Sequence, residues 1–432
     1  MKHLMSDISF VHSSGKQRLV NRRFALGASL LCTAVAGLPQ SFLARSVYAS
    51  LASPSIGGFS VEGLGRLAIA MQGAVDRGAV DGLLTLLFRR GVVAHLGRYG
   101  WQNKSANIPM TREAIFWIAS MTKPITSVAA LILVDEHKMK LTDPVDPWLP
   151  ELARPFLLQD SSDPNSRKPS PHPIRIVDLL THRSGVSTVG VAAALSGANN
   201  YADQSIDSWI SEVGKLPLDN IPGSTFAYGN SFDILGVLIE RAAGMPFADF
   251  LRTRIFEPLH MSDTSFFVPK DKRSRLAVGS NNDVREAPMS MPNVIHAAGG
   301  LYSTADDYLK FARMLLGRGR LEETRIISHR SLDYMTSNYL TPEQRQQSFL
   351  GIKEFWRGEG FGLGVAVKDD LTINSPVMGV GSPGTFGWPG VSGVWWAVDP
   401  REDMIQIFMV QGGENEAPRR AFQERAYQAI AD

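Results

Sequence analysis

The sequence predicts an α/β protein of the α+β kind: one antiparallel sheet flanked by helices, with an inserted, mainly helical region. Three observations carry this. Strand-like runs stand near both ends of the mature chain, at 83–88 and 92–99 in front and at 361–367, 393–398 and 404–410 behind. The long stretch between them reads as helix-rich, which suits a single sheet assembled from both termini. The 432 residues, 44% hydrophobic and 20% charged, are enough for a large core.

The first 49 residues read as a leader. They hold six basic residues (Lys2, Lys16, Arg18, Arg22, Arg23, Arg45) against one acid, Asp7, and leave 38 basic and 41 acidic residues in the remainder. The excess of positive charge belongs to this segment, so a nucleic-acid partner is not expected. Asn21-Arg22-Arg23 opens an apolar stretch, Ala25 to Leu38, and Val47-Tyr48-Ala49 offers small residues for a signal peptidase. That order is a secretory signal peptide, and the paired arginines fit the twin-arginine type, so a periplasmic or secreted location is expected. The apolar run is short for an anchor and no later stretch could cross a bilayer, so no stable membrane span should remain after leader removal. Cys32 is the only cysteine, and Leu31 before it is too bulky for a lipoprotein signal. Cleavage therefore leaves neither a disulfide nor a thiol nucleophile.

Residues 50–432 read as one catalytic domain, with 50–150 and 291–432 forming the α/β part and 151–290 the helical insert. Val61 to Arg77 is a helix by the recurrence of Leu64, Leu67, Ile69 and Met71. The runs 83–88 and 92–99 join through Arg89-Arg90-Gly91, a hairpin signal. Asp399-Pro400-Arg401-Glu402-Asp403 turns between the last two strands, and Glu416 to Ala431 closes the chain as a helix. Ser161 to Pro173, with four prolines, reads as a surface loop rather than a packed element. There is no internal repeat or extended low-complexity tract.

Three short motifs carry chemistry. Ser120-Met121-Thr122-Lys123 precedes Pro124 and the apolar run Ile125 to Val134. Proline is tolerated only in a helix's first turn, so the helix should begin near Ser120 and place that hydroxyl at the positive end of the dipole. Lys123 falls on the same face one turn later, and burial behind an apolar helix favours its neutral, proton-accepting form. Alone the tetrapeptide is also an ordinary helix start, and Ser13-Ser14-Gly15-Lys16 repeats it within the leader. Tyr228-Gly229-Asn230 lies between the turn Pro222-Gly223-Ser224 and a helix-like run, Ile234 to Ala243. A phenol beside a lysine ammonium can exchange protons with a serine, and the asparagine amide can face substrate or Lys123. Third, Phe386-Gly387-Trp388-Pro389-Gly390-Val391 precedes the final strands, and no Lys-Thr-Gly occurs anywhere. Proline there predicts an edge strand beside the nucleophile helix, with the Val391 and Ser120 amides forming an oxyanion hole. Trp388 could equally be core filling.

In this order the motifs resemble the class C β-lactamase-like serine hydrolase superfamily, and more closely its family VIII carboxylesterases, over nearly the whole mature chain. Phe116 to Leu131 is similar to the family's nucleophile helix almost residue for residue. Ile176 to Gly185, Gly299 to Asp307 and Trp396 to Pro400 are similar to other family segments, which caps, turns and tight glycine packing explain. The resemblance implies a β-lactamase/penicillin-binding-protein-like fold, with Ser120 as nucleophile and Lys123 and Tyr228 as the proton-transfer pair. Trp388-Pro389-Gly390 looks like a variant of the esterases' Trp-Gly-Gly, with Asn230, Trp388, Gly390 and Val391 expected to bind substrate. The implied activity is hydrolysis of a small-molecule ester through an acyl-enzyme, with no metal or other cofactor. The nine histidines show no closely spaced ligand pattern, and no Gly-x-Ser-x-Gly of an α/β-hydrolase is present. A β-lactamase or D-amino-acid peptidase would normally need a cation that Trp388 cannot supply. Amide hydrolysis, as in an amidase, and transesterification stay open because the same triad runs them, and a catalytically silent binding protein on the same fold is a further alternative.

Overall fold

Residues Gly82–Arg89 (β1) alternate between two cores. Leu83 and Leu87 join one cluster, while Leu84, Leu86 and Phe88 join the other. Met404–Val410 (β12) does the same, with Met404, Phe408 and Val410 on the first side and Ile405, Ile407 and Met409 on the second. A strand apolar on both faces must lie inside a sheet covered on both sides. That is the arrangement in the computed structural model, which describes residues 55–160, 163–186, 205–279, 287–349, 351–413 and 415–431. The expected leader, with Cys32 and the second serine–lysine tetrapeptide, lies outside the described residues.

Between β1 and β12 in sequence come Val92–Asn103 (β2), Ile108–Pro109 (β3) and Phe116–Trp117 (β4). Phe156–Asp160 (β5), Asp163–Pro169 (β6) and Tyr302–Ser303 (β7) follow, then Glu359–Phe361 (β8), Ala366–Lys368 (β9), Phe386–Pro389 (β10) and Trp395–Asp399 (β11). The main sheet has eight strands in the order β8-β9-β10-β11-β12-β1-β2-β3, all antiparallel. Both ends of the chain supply it, as expected. Helices Val61–Asp76 (α1) and Glu416–Gln428 (α7) cover one face and approach closely: a Cβ on Gly63 would lie 2.7 Å from Ala429. The other face meets Thr122–Asp135 (α2) and Ala305–Leu316 (α6), with Ile176–Leu180 (α3), Ile206–Gly214 (α4) and Ser231–Ala243 (α5) beyond.

Three expectations are corrected. The run 361–367 is two strands, because Gly362 to Val365 form a tight turn in which Gly362 N–H donates to Val365 at 2.8 Å. Gly364 has φ +77°, and a Cβ on Gly362 would lie 2.2 Å from the Met335 carbonyl, so side chains are excluded there. The proline-rich segment is not a plain loop: β6 pairs with β5 as a hairpin, Leu157 opposite Lys168 and Leu158 opposite Arg167. The strand carrying Pro389 is third in the sheet, not at its edge. Only Phe386 and Gly387 meet β9, however, so Trp388 and Pro389 overhang it and the missing proline N–H leaves no ladder partner unsatisfied.

Candidate active site

The segment leading into α2 is held from both sides. β4 pairs with β7, and Ile118 N–H donates to Leu301 at 3.0 Å. Ala119 then adopts φ +44°, a left-handed conformation unusual for a residue with a side chain. Thr122 closes the turn, donating from Oγ1 to the Ala119 carbonyl at 2.7 Å and accepting Leu301 N–H at 3.2 Å. A short 3₁₀ turn over Ala119–Met121 therefore presents Ser120 at the head of α2. Backbone strain of this kind costs about 1–3 kcal/mol and persists only where the surroundings enforce it.

Lys123 is buried one turn along, and its Nζ donates to Ser120 Oγ at 3.1 Å and to the Ala298 carbonyl at 2.8 Å. Tyr228, in the turn before α5, donates from its hydroxyl to the same Ser120 Oγ at 2.9 Å. Its ring lies beneath Lys123, 4.5 Å from Nζ to the ring centroid. Residues more than a hundred positions apart in sequence thus converge on one oxygen. Asn230 caps α5, and its side chain makes no hydrogen bond among the described residues. Ser120, Lys123, Tyr228, Gly229, Asn230, Asp233, Trp117, His296, Ala298 and Gly299 line an open cavity of about 250 Å³.

Trp388 is placed as core filling rather than as the substrate-binding residue that the resemblance implies. It is 3% exposed, outside the cavity lining, and packs against Phe361 at 5.1 Å and Trp356 at 6.3 Å between centroids. Its Nε1–H donates to the Tyr228 hydroxyl at 3.2 Å, so the indole stands behind the phenol. Gly390 follows at van der Waals limit: an added Cβ would meet the Ile118 carbonyl and Val394 at 2.6 Å each. Val391 is 80% exposed at a turn closed by Gly393 N–H to the Gly390 carbonyl at 2.9 Å. Neither the Val391 nor the Ser120 amide donates to another group among the described residues.

Several neighbours went unread in the sequence. His182 is buried and lies 4.3 Å from the Tyr228 ring, with Nδ1 accepting Gly229 N–H at 3.4 Å. Burial, then the nearby Lys123 charge, holds its pKa well below the usual histidine value, so the ring is neutral. Its carbonyl takes Ala227 N–H at 2.8 Å, and the Ile176–Gly185 segment, read above as structural, thereby backs the tyrosine. Asp233 and His296 face each other across the cavity, 3.9 Å from Oδ1 to Nδ1. Gly299 accepts the Trp117 indole N–H at 2.7 Å.

Comparison with known proteins places this geometry. The family described as "Beta-lactamase" matches residues 67–429. The chain belongs to the β-lactamase family. Among its relatives, an uncharacterised protein of Mycobacterium tuberculosis is 38% identical over 352 residues, 78% of this chain and 87% of that one. Esterase EstB of Burkholderia gladioli is 30% identical over 369 residues, 77% of this chain and 86% of that one. Of solved structures, EstCE1, described as a hydrolase with promiscuous acyltransferase activity, shares the fold with a TM-score of 0.69. It is 23% identical, and the match covers 86% of this chain and 99% of EstCE1. The β-lactamase-family chain is accordingly a serine hydrolase of the class C β-lactamase-like superfamily.

Proposed function

We propose that this protein hydrolyses small, uncharged carboxylic esters through an acyl-enzyme on Ser120. The observation that carries the reading is the convergence of Lys123 Nζ and Tyr228 Oη on Ser120 Oγ, at 3.1 and 2.9 Å. Ser120 Oγ attacks the ester carbonyl carbon while its proton passes to the Tyr228–Lys123 pair. The Ser120 and Val391 amides, uncommitted among the described residues, stabilise the oxyanion. The carbon–oxygen bond to the alcohol breaks, and the alcohol leaves with the proton from Tyr228. Water then gives a proton to the same pair, attacks the acyl carbon, and Oγ departs and is reprotonated.

The third motif supports an ester over a β-lactam. A lactam brings a carboxylate next to the scissile ring, which a partly dry cleft holds only with a cation or several donors. Trp388 has one neutral donor, already given to Tyr228. The esterase name of the Burkholderia relative points the same way. The test is labelling of Ser120 by a fluorophosphonate, with nitrophenyl esters assayed beside nitrocefin on the same preparation. Ester kcat/KM should exceed that for nitrocefin by at least about 10²-fold, the scale on which a missing charged partner discriminates. Equal efficiency would replace this reading with a lactamase.

Gly390 gives a second check. Gly390→Ala forces its methyl into the Ile118 carbonyl and Val394, so β10 must retreat from Ser120. An ångström-scale misplacement costs up to about 10²-fold. The variant should lose kcat on that scale in the nitrophenyl assay while remaining folded by circular dichroism.

A further inference from the structure

Asn230, Asp233 and His296 line the cavity without a part in the proton transfer just described. Asp233 is the most unusual of them. It stands in the first turn of α5, amid Ser231-Phe232-Asp233-Ile234-Leu235, and is only 7% exposed. Burying a carboxylate is costly and is retained where partners or function require it. Its Oδ1 accepts Ala298 N–H at 3.0 Å, and the carbonyl of that same residue holds Lys123 Nζ at 2.8 Å. The Ala297 carbonyl takes Thr126 Oγ1 from α2 at 2.7 Å. One helical turn beyond Asp233, a Cβ on Gly236 would come within 2.6 Å of the Ala297 methyl. The pair Ala297–Ala298 is therefore clamped between α2 and α5, with Asp233 as the polar pin.

We infer that Asp233 is a positioning residue of this site: it fixes the Ala298 carbonyl that holds Lys123, and with His296 it sets the charge around that lysine. The inference rests on the Ser120 reading above. The groups that face Lys123 are few. Ser120 comes from its own helix, the Tyr228 and Phe232 rings from the start of α5, and neutral His182 from the segment after α3. Asp233 adds a carboxylate from α5, and His296 an imidazole 3.9 Å from that carboxylate. Burial pushes the Asp233 carboxyl above the usual carboxylate range, and His296, the Ala298 and Ala297 amides and Lys123 pull it back.

The experiment compares the full chain with Asp233→Asn and His296→Gln, reading kcat and KM for a nitrophenyl ester across pH, with melting temperatures. Asp233→Asn keeps an oxygen for Ala298 but withdraws the negative charge. It should lower kcat about 10- to 10²-fold with KM little changed, because the carboxylate acts through Ala298 and Lys123 rather than on the ester. Loss of a carboxylate disfavours cations in the cavity, so the acid limb of its kcat profile moves to lower pH. His296→Gln removes the imidazole that stands 3.9 Å from the carboxylate and helps to lower its pKa, and should move that limb to higher pH. Opposite displacements are not the mark of a packing defect. Limbs that stay in place, or that move together, overturn the inference, as does a kcat loss that merely follows the melting temperature. Should Asp233→Asn fail to fold, the His296→Gln profile decides alone. A parent protein inert to both ester and fluorophosphonate overturns the Ser120 reading and this inference with it, whereas an active parent with indifferent variants overturns this inference only.

Discussion

A Ser120→Ala enzyme is expected to lose ester turnover by about 10⁴-fold or more, the scale seen when a serine nucleophile is deleted. Its melting temperature should shift by only a few degrees. Ser120 Oγ accepts from two donors, yet both have other partners: Lys123 keeps the Ala298 carbonyl and Tyr228 keeps the Trp388 indole. The lost hydrogen bonds are part-buried and worth about 1 kcal/mol each. The strained turn before α2 does not depend on the hydroxyl, because Ala119 is fixed by Thr122 and by the β4–β7 pairing. Steady-state assays with a nitrophenyl ester and a thermal melt by circular dichroism read both quantities. Retained turnover in a variant with an unchanged melt would put the nucleophile elsewhere.

Much of this site was legible because local rules determine it. Pro124 restricts where α2 can start, and three residues of helix bring Lys123 back to Ser120, so the pair follows from sequence alone. The strand-like runs near both ends likewise predict one antiparallel sheet, in which β1 and β12 lie side by side. Other parts depend on distant chain. Lys123 is held by a carbonyl, that of Ala298, and a backbone acceptor leaves no trace in residue identity. The Gly362 turn escaped because a run rich in Val, Leu and Phe reads as one strand, and only the Met335 carbonyl facing Gly362 reveals why it must break. That Trp388 is core filling rather than a substrate contact is not legible, because the aromatic cluster that buries it is gathered from Phe361, Trp356 and Tyr228 across the fold. Asp233 did carry a signal: an acid inside an apolar helical run, three residues after Asn230 and so on the same helix face. A charge on a buried helix face asks for an explanation before any coordinates are known.

Tyr228→Phe should lower kcat about 10²- to 10⁴-fold, the usual contribution of a general acid–base group. The phenylalanine ring fits the same space against His182 and Trp388, at 4.3 and 5.8 Å between centroids, so the loss is chemical rather than structural. Without the hydroxyl the departing alcohol loses the phenol that gives it a proton, and Lys123, the other donor to Ser120 Oγ, remains tied to Ala298. The Trp388 N–H also loses its acceptor while nearly fully buried, a cost of about 1–3 kcal/mol that should show in the melt. Trp388→Phe separates the two effects. It removes the donor behind the phenol along with part of the buried ring, leaves Tyr228 on Ser120, and should lower kcat about fivefold, as one hydrogen bond of about 1 kcal/mol allows. Because both variants break the same bond from opposite ends, Tyr228→Phe combined with Trp388→Phe should be little slower than Tyr228→Phe alone. Full additivity of the two losses would mean that the indole acts on the reaction by a route other than the tyrosine. Near-normal turnover in Tyr228→Phe would leave Lys123 as the sole base and reduce the phenol to packing.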